Sequence, residues 1–271
     1  VPHTEAPGFR LYFEEHGAGF PLLLLNGLGS DHLEWLHQLP AFTPHYRVVV
    51  FDNRGTGGSA VPPGPYTTAQ MAGDAAALLR FLGVSRAHVL GVSLGGMIAQ
   101  EMALRRPDLV DRLVLGCTSP GGDLSVRPSP EAMAAFSGAK GIDAEAELRR
   151  TIPFLYTDAY VRERPDEVDA FILRRMANPT PPEGYAFQLA AAVSHDAASR
   201  LPGIRARTLV ITGDADRLVD MENSRRIAAR IPDARLVVLS GAPHRLFAEN
   251  SDAFNREVLS FLQAPQNRDV P

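Results

Sequence analysis

The sequence contains a single cysteine, Cys117, among its 271 residues. A disulfide within the chain is therefore impossible, and so is a metal site built from several thiolates. Long apolar runs are missing as well. The longest candidate is the four leucines from Leu22 to Leu25, whereas a membrane-spanning helix needs ~20 predominantly apolar residues. We therefore expect no membrane as a partner.

The amino-terminal residues, from Val1 onward, lack the basic start and the apolar core of a secretory signal peptide. Together with the lone thiol, which is compatible with a reducing compartment, this favours a cytoplasmic location. A surplus of positive charge is missing too, because 27 Lys and Arg residues stand against 31 Asp and Glu residues, a formal net charge of -4. Without a broad positive field, nucleic acid is not expected as a partner.

The composition is that of a globular protein. Hydrophobic residues make up 45% of the sequence and charged residues 21%, which excludes a wholly disordered or a fibrous protein. At roughly 150 residues per domain the length gives fewer than two domains. This favours one core with an insertion.

Short apolar runs alternate with helical patterns along the chain. Because these runs are apolar at successive positions, they predict strands buried on both faces of a parallel sheet. The alternation predicts the α/β class, a mostly parallel sheet with helices on both faces. The predicted strands are residues 22–25, 47–51, 87–90, 113–115, 208–212 and 235–239, and the predicted helices are residues 67–83, 96–104, 222–231 and 248–262.

Residues 121–201 show helical patterns broken by prolines and no strand signal. We interpret this stretch as a helical cap, or lid, inserted into a core formed by residues 1–120 and 202–271. Several aromatic side chains of the cap, Phe154 among them, either line an apolar pocket or hold the cap together.

The run Gly91-Val92-Ser93-Leu94-Gly95 is a G-x-S-x-G motif between an apolar strand and a helical run. To expose its hydroxyl above the sheet edge, the serine must occupy a tight, strained turn, where side chains two positions away would collide. Gly91 and Gly95 avoid those collisions. The turn also directs the free N–H groups of the next helix at the same place. Ser93 is the predicted nucleophile, and an ordinary structural turn is the alternative.

A serine hydroxyl is a weak nucleophile near neutral pH and needs a base that a third group orients. In proteins with this motif the base follows the serine in the chain, and only His195 and His244 follow Ser93. His244 comes just after the predicted strand 235–239, at the same sheet edge as Ser93, whereas His195 falls within the cap. We predict that His244 is the base, and a solvated loop histidine is the alternative.

The orienting acid is expected just after the predicted strand 208–212. Three carboxylates compete there, namely Asp214, Asp216 and Asp220. Asp214 suits the turn itself, because aspartate side chains accept hydrogen bonds from nearby backbone in turns. Asp216 is therefore the predicted acid. Asp123, which follows an earlier strand, is the least favoured alternative.

An oxyanion that develops on the substrate needs N–H donors already in place, and losing one costs on the order of 100- to 1000-fold in rate. The first predicted donor is the Leu94 N–H. The second should come from a loop after an earlier strand, and Asn26-Gly27-Leu28-Gly29 has glycines that allow close backbone approach. The Leu28 N–H is the predicted second donor.

These motifs together resemble the α/β-hydrolase superfamily over most of the chain, and the resemblance implies its fold. The run from Asp52 to Ser59 is similar to the D-x-R-G-x-G-x-S loop of that superfamily. The run from Gly95 to Gln100 is similar to the helix opening of its small-ester and lactone hydrolases, with the 3-oxoadipate enol-lactonase branch most similar. The resemblance also implies that Asp52 and Arg54 stabilise the loop near the site without taking part in the chemistry.

The chain departs from the superfamily in two places. Many members carry His-Gly in the oxyanion loop where this chain carries Asn26-Gly27, so Asn26 is expected to alter the hydrogen bonding beneath the oxyanion or to contact the substrate. The cap has no tryptophan. Asn26, Phe154 and Val219 are the predicted substrate contacts. The serine nucleophile itself argues against the haloalkane dehalogenase and epoxide hydrolase branches.

Two other classes of enzyme fit less well. The glycines of Gly27-Leu28-Gly29, with Asp52 at the end of the next strand, resemble half of a dinucleotide-binding fingerprint, but His32 occupies the position of the third glycine. Metal-dependent hydrolysis is not indicated, because the sequence contains no HExxH motif and its histidines are scattered. We therefore expect no cofactor and no metal.

The sequence thus predicts a serine hydrolase that cleaves a small carboxylic ester or lactone through an acyl-enzyme. Cleavage of a C–C bond in a vinylogous diketone would use the same three side chains and stays open. A non-enzymatic receptor for a small ligand also stays open, because an intact triad does not exclude it.

Overall fold

The computed structural model describes residues 2–138 and 143–265. Within these ranges one sheet contains eight strands: β1 (His3–Thr4), β2 (Leu11–His16), β3 (Pro21–Leu25), β4 (Arg47–Phe51), β5 (Ala87–Val92), β6 (Val110–Gly116), β7 (Arg207–Gly213) and β8 (Ala234–Leu239). Their order across the sheet is β1-β2-β4-β3-β5-β6-β7-β8. Strands β3 to β8 are parallel, whereas β1 and β2 are antiparallel to their neighbours. The predicted α/β class with a mostly parallel sheet is confirmed.

The six parallel strands contain every run that the sequence predicts as a strand. Strands β1 and β2 are absent from that prediction, although β2 alternates between apolar and polar side chains and buries Leu11 and Phe13. In the parallel strands, successive side chains enter two different cores. Leu23 and Leu25 of β3 belong to one apolar cluster, and Leu22 and Leu24 belong to the other. Burial on both faces explains why these strands need apolar residues at every position.

Eleven helices are present in the described ranges: α1 (Leu39–Phe42), α2 (Thr68–Phe81), α3 (Leu94–Arg105), α4 (Pro130–Phe136), α5 (Ala144–Leu155), α6 (Asp158–Glu163), α7 (Pro165–Ala177), α8 (Pro182–Val193), α9 (Met221–Ala228), α10 (Leu246–Glu249) and α11 (Ser251–Gln263). Short 3-10 helices span His32–Trp35, Gly122–Leu124 and Leu201–Gly203. None of the helices in this part of the chain is long and apolar enough to cross a membrane.

The helices that flank the sheet follow the sequence closely. Helix α2 matches the predicted helix 67–83, and Thr67 and Gln70 form a capping box at its start. The predicted final helix, residues 248–262, is divided into α10 and α11. The division lies at Asn250, whose backbone (φ -116°, ψ 37°) is not helical.

Helices α4 to α8 lie between β6 and β7 and form most of residues 121–201, called the inserted segment below. A bridge between Gly121 and Asp196, and a hydrogen bond of 2.9 Å from the Ala197 N–H to the Pro120 carbonyl, place the two ends of the segment side by side. The segment also has a small apolar cluster of its own, formed by Ile152, Leu155, Tyr156, Val168, Phe171 and Ile172.

Candidate active site

A cavity of about 1090 Å³ lies between the inserted segment and the loops at the carboxyl ends of the parallel strands. Ser93 and His244 both line it, and so do Leu28 and Leu94. A concave, mostly apolar space with a few polar groups is the usual setting of a small-molecule site. The cavity is therefore where the predicted catalytic residues are available to a substrate.

Ser93 lies between β5 and α3 with a backbone φ of 53°, a conformation that residues other than glycine rarely adopt. A Cβ atom on Gly91 would lie 2.1 Å from the carbonyl oxygen of Gly95. A Cβ atom on Gly95 would lie 2.0 Å from the carbonyl oxygen of Leu25. No side chain fits at such distances, so Gly91 is required by the turn that presents Ser93, and Gly95 is required by the close approach of this turn to β3.

Two backbone amides lie beside this serine. Helix α3 begins at Leu94, so the Leu94 N–H has no partner within the helix. In the loop after β3, a Cβ atom on Gly27 would lie only 3.6 Å from the Ser93 Cβ. Among the residues that the structure describes, neither the Leu94 N–H nor the Leu28 N–H has a hydrogen-bond acceptor. Free donors beside the nucleophile are what an oxyanion hole requires.

His244 follows β8 and is hydrogen-bonded to a buried carboxylate. Its Nδ1 lies 2.8 Å from Oδ2 of Asp216, and the two side chains are 5% and 0% exposed. The other carboxylate oxygen of Asp216 accepts the N–H groups of Leu218 and Val219, each at 2.8 Å. These bonds fix the orientation of the carboxylate and, through it, that of the imidazole.

The three alternatives to Asp216 have other hydrogen-bond partners or lie elsewhere. Asp214 accepts the Gly241 N–H at 2.5 Å and so joins the loop after β7 to the loop after β8. Asp220 caps α9 by accepting the Glu222 N–H at 2.8 Å. Asp123 is exposed in a 3-10 helix of the inserted segment. Of the four predicted candidates, Asp216 is the one that contacts His244.

His195, the other downstream histidine, is bonded to the core rather than to a carboxylate. Its Nδ1 lies 3.0 Å from the Thr68 hydroxyl, and its Nε2 is buried with no partner among the residues that the structure describes. Burial lowers the pKa of His195 to about 4. Within residues 2–138 and 143–265, no three His, Cys, Asp or Glu side chains are grouped so that they could hold a metal ion.

Asn26 and Phe154, two of the three predicted substrate contacts, do not line the cavity. Asn26 is 0% exposed, and its Nδ2 donates to the Phe51 carbonyl at 2.7 Å, so it fixes the oxyanion loop from below. Phe154 does not line the cavity, because α5 presents the face with Thr151 and Leu155 instead. Val219 does line the cavity, next to the amides that hold Asp216.

The loop after β3, which is the predicted oxyanion loop, is also held from the inserted segment, and the sequence did not indicate this. The Gly29 N–H donates to Oε1 of Gln188 at 2.9 Å, and Nε2 of Gln188 donates to the Arg54 carbonyl at 2.7 Å. The Gly29 carbonyl accepts the Thr180 hydroxyl at 2.7 Å and Nη1 of Arg175. Three side chains of the segment therefore fix the residue next to Leu28.

A buried ion pair between Glu34 and Arg245 lies in the cavity wall beside His244. The Arg245 guanidinium also faces the ring of Phe171, with 4.2 Å between its carbon and the ring centroid. The Arg245 N–H donates to the Leu155 carbonyl at 3.0 Å. The loop that carries His244 is thus attached to the inserted segment on one side.

Asp52 and Arg54 form supporting contacts away from the cavity wall. The Asp52 carboxylate is fully buried and accepts the N–H groups of His32 and Gly58, both at 2.7 Å. Arg54 binds Asp74 through two hydrogen bonds, from Nε at 2.6 Å and from Nη2 at 2.7 Å. Both residues stabilise the loop after β4, as the resemblance implies.

Comparisons with known proteins agree with this architecture. The sequence profile of the α/β hydrolase fold matches residues 21–251. A relative from Azorhizobium caulinodans with the provisional name carbamate hydrolase RutD is 31% identical over 261 residues, 96% of this chain and 98% of the relative. The crystal structure of the enol-lactonase from Burkholderia xenovorans LB400 has a TM-score of 0.86 and 32% identity, and the match covers 97% of this chain and 100% of that one. The meta-cleavage product hydrolase from Pseudomonas fluorescens IP01 has a TM-score of 0.83 at 24% identity, covering 97% of each chain, a likeness of fold alone.

Proposed function

The chain belongs to the α/β-hydrolase fold family, and from this we propose that it is a serine hydrolase that cleaves a small carboxylic ester or lactone through an acyl-enzyme. One observation carries the proposal. The hydrogen bond between Asp216 and His244 lies at the wall of the cavity that Ser93 also lines. A nucleophile on a strained turn, a base and an orienting acid are the parts that acyl transfer needs.

In the proposed reaction, Ser93 Oγ attacks the carbonyl carbon. Because Nδ1 of His244 is bonded to Asp216, Nε2 is the nitrogen that takes the serine proton. The N–H groups of Leu28 and Leu94 bind the negatively charged oxygen. The intermediate expels the alkoxide, which takes the proton from His244. A water that His244 deprotonates then attacks the acyl-enzyme, releases the acid and restores Ser93.

The names of similar proteins support this choice of substrate class. An enol-lactonase cleaves a lactone and a carbamate hydrolase cleaves a carbamate, and both substrates have a carbonyl carbon bonded to a heteroatom that leaves on hydrolysis. In this proposal, residues 121–201 serve as the cap that encloses such a substrate. Cleavage of a C–C bond by the same side chains receives weaker support, because the meta-cleavage product hydrolase shares only the fold at 24% identity.

Turnover of a chromogenic ester tests the proposal. Wild-type protein should hydrolyse p-nitrophenyl acetate, and Ser93→Ala should lose roughly 10⁴-fold or more in kcat. Ser119→Ala is the matched control, since Ser119 also lines the cavity but is bonded to Ser125 at 2.7 Å. It should keep most of the activity.

A fluorophosphonate should label Ser93, as peptide mass spectrometry would detect. A wild-type protein that binds such an ester without turning it over would favour the receptor alternative. Labelling at a different residue would contradict the assignment of Ser93.

A further inference from the structure

Two arginines of the cavity wall differ in what balances their charge. Arg245 forms an ion pair with Glu34. Arg175, on α7, has no carboxylate within 4 Å among the described residues. Its one protein acceptor in that part of the chain is the Gly29 carbonyl, which Nη1 contacts.

The charge of Arg175 is therefore incompletely neutralised in a half-buried position. Burial lowers the pKa of Arg175, and the carboxylates of Glu34 and Asp31 act against this only through space. Glu34 is already engaged by Arg245, and Asp31 accepts the Leu33 N–H at 3.0 Å. A partly desolvated cation without a counter-ion is unfavourable, so such a group in a binding cavity indicates an anionic ligand.

The other charged side chains of the wall do not supply the missing partner. The three other carboxylates are Asp123, Glu147 and Asp196, and none forms an ion pair with Arg175 within the described ranges; Arg127 is itself a cation. Asp196 instead accepts the Ala198 N–H at 3.1 Å.

One edge of the Arg175 guanidinium has no hydrogen-bond acceptor in the described part of the chain and has the donor pair that a carboxylate needs. Nε and Nη2 of Arg175 have no acceptor among the described residues, and Nη2 lies 3.1 Å from the position that a Cβ on Gly29 would take. Elsewhere in this protein Arg54 uses the same pair, Nε and Nη2, to bind both oxygens of Asp74. A planar guanidinium edge matches a carboxylate through two parallel hydrogen bonds.

We propose that Arg175 binds a carboxylate of the substrate, so that the enzyme prefers an acidic ester or lactone over its neutral analogue. The inference rests on the proposed function and narrows its substrate class. Arg175 contacts Gly29, and Gly29 adjoins Leu28, whose N–H is assigned to the oxyanion. The carboxylate of the substrate therefore lies a short spacer away from the scissile carbonyl.

Matched pairs of esters test this preference. The first pair is the mono-p-nitrophenyl ester of glutaric acid and p-nitrophenyl pentanoate, which differ by a carboxylate for a methyl group. The second is 4-acetoxybenzoate and phenyl acetate, which place the charge on the leaving group. Wild type should favour the acidic member of at least one pair by about 10- to 100-fold in kcat/KM, the range expected of hydrogen bonds between charged groups.

Variants assign that preference to one side chain. Arg175→Met should reduce the acidic-to-neutral ratio to about 1, and Arg175→Lys should keep part of it, since the charge stays but the planar edge is lost. Arg174→Met removes the same charge from the same helix at a residue that does not line the cavity, and it should keep the wild-type ratio. The ratio is the readout because Arg175 also holds the Gly29 carbonyl, whose loss affects both esters alike.

Equal rates within both pairs in wild type, or an acid preference that survives Arg175→Met, would overturn the inference while leaving the serine hydrolase intact. Absence of any ester turnover would instead contradict the proposed function. Calorimetric titration of glutarate into Ser93→Ala tests the anion site without turnover. Binding should weaken by about 10-fold or more when Arg175→Met is added, and unchanged binding would exclude this role for Arg175.

Discussion

The loops at the sheet edge and the inserted segment form opposite sides of one cavity, and they are held by different kinds of contact. We call residues 26–29, 93–94, 214–220 and 240–245 the edge loops. In them, polar groups are fixed by short hydrogen bonds, and the Asp216 side chain is 0% exposed. In the inserted segment the packing is largely apolar, and Leu173 and Val193 remain 65% and 67% exposed.

This difference separates two requirements of an enzyme. Acyl transfer needs atoms held within a fraction of an ångström, and buried hydrogen bonds to backbone provide that. Substrate selection tolerates more change, because apolar packing can be rearranged at moderate cost in stability. Gln188, Thr180 and Arg175 are exceptions, since they belong to the inserted segment but bind the edge loop at Gly29.

The largest expected effect lies in the edge loops. Asp216→Asn should reduce kcat by roughly 10³- to 10⁴-fold, because an amide stabilises the wrong tautomer of His244. Asp214→Asn is the matched control. Asp214 joins two loops through the Gly241 N–H, which an asparagine oxygen can still accept, so we expect less than about a 10-fold loss. The measurement is kcat on p-nitrophenyl acetate, and equal losses in the two variants would contradict the assignment of the acid.

A smaller effect tests whether the two regions are independent in catalysis. Gln188→Leu removes the acceptor of the Gly29 N–H and should lower kcat by about 10-fold with little change in KM, because Leu28 then loses its fixed position. Gln38→Leu is the control, since Gln38 is also 0% exposed but donates to the Phe247 carbonyl at 2.6 Å. It should reduce stability without that fall in kcat. Unchanged kcat in Gln188→Leu would show that the hydrogen bond from Gly29 to Gln188 does not support catalysis.

The smallest effect concerns the pH dependence of stability where the inserted segment meets helix α2. His195 of the inserted segment contacts Thr68 of α2, and burial lowers its pKa to about 4. An unfolded histidine has a pKa of ~6.5. Between about pH 4 and pH 6.5 the unfolded chain therefore binds more protons than the folded chain, and the free energy of unfolding falls as the pH drops. His195→Gln should reduce this fall by about 1–2 kcal/mol between pH 7 and pH 5.

Urea denaturation at the two pH values measures that difference. A pH dependence identical in wild type and variant would contradict the buried, neutral state of His195. His88, whose pKa burial also lowers to about 4, should keep a residual dependence in the variant.

The edge loops could be predicted because parallel strands end at a common edge. Each of Ser93, Asp216 and His244 follows a strand closely, so recognising the strand also locates the side chain. The glycines around Ser93 added a steric signal. It is local at Gly91, which meets the Gly95 carbonyl, whereas at Gly95 the clash would be with the Leu25 carbonyl of β3. Strands β1 and β2 are absent from the prediction, since they lie at an antiparallel edge outside the repeating strand-helix pattern.

The inserted segment could be predicted only as a set of helices. Which face of α5 meets the cavity depends on how the helices dock. Phe154 was chosen by residue type, but Thr151 and Leu155 are the residues of that part of α5 that line the cavity. The contacts of Arg175 and Gln188 could not be predicted either, because in the sequence a polar residue that points into a cavity looks the same as one that faces solvent. The sequence could not decide between the two expected roles of Asn26, since its partner, the Phe51 carbonyl, comes from a neighbouring strand.

The attachment of Gly29 to helices α7 and α8 has a consequence for engineering. A chimaera that carries a foreign segment in place of residues 121–201 would lose the donors and the acceptor that Arg175, Thr180 and Gln188 provide. Such a transplant would therefore slow the chemical step as well as alter the choice of substrate, unless the graft recreates those three contacts.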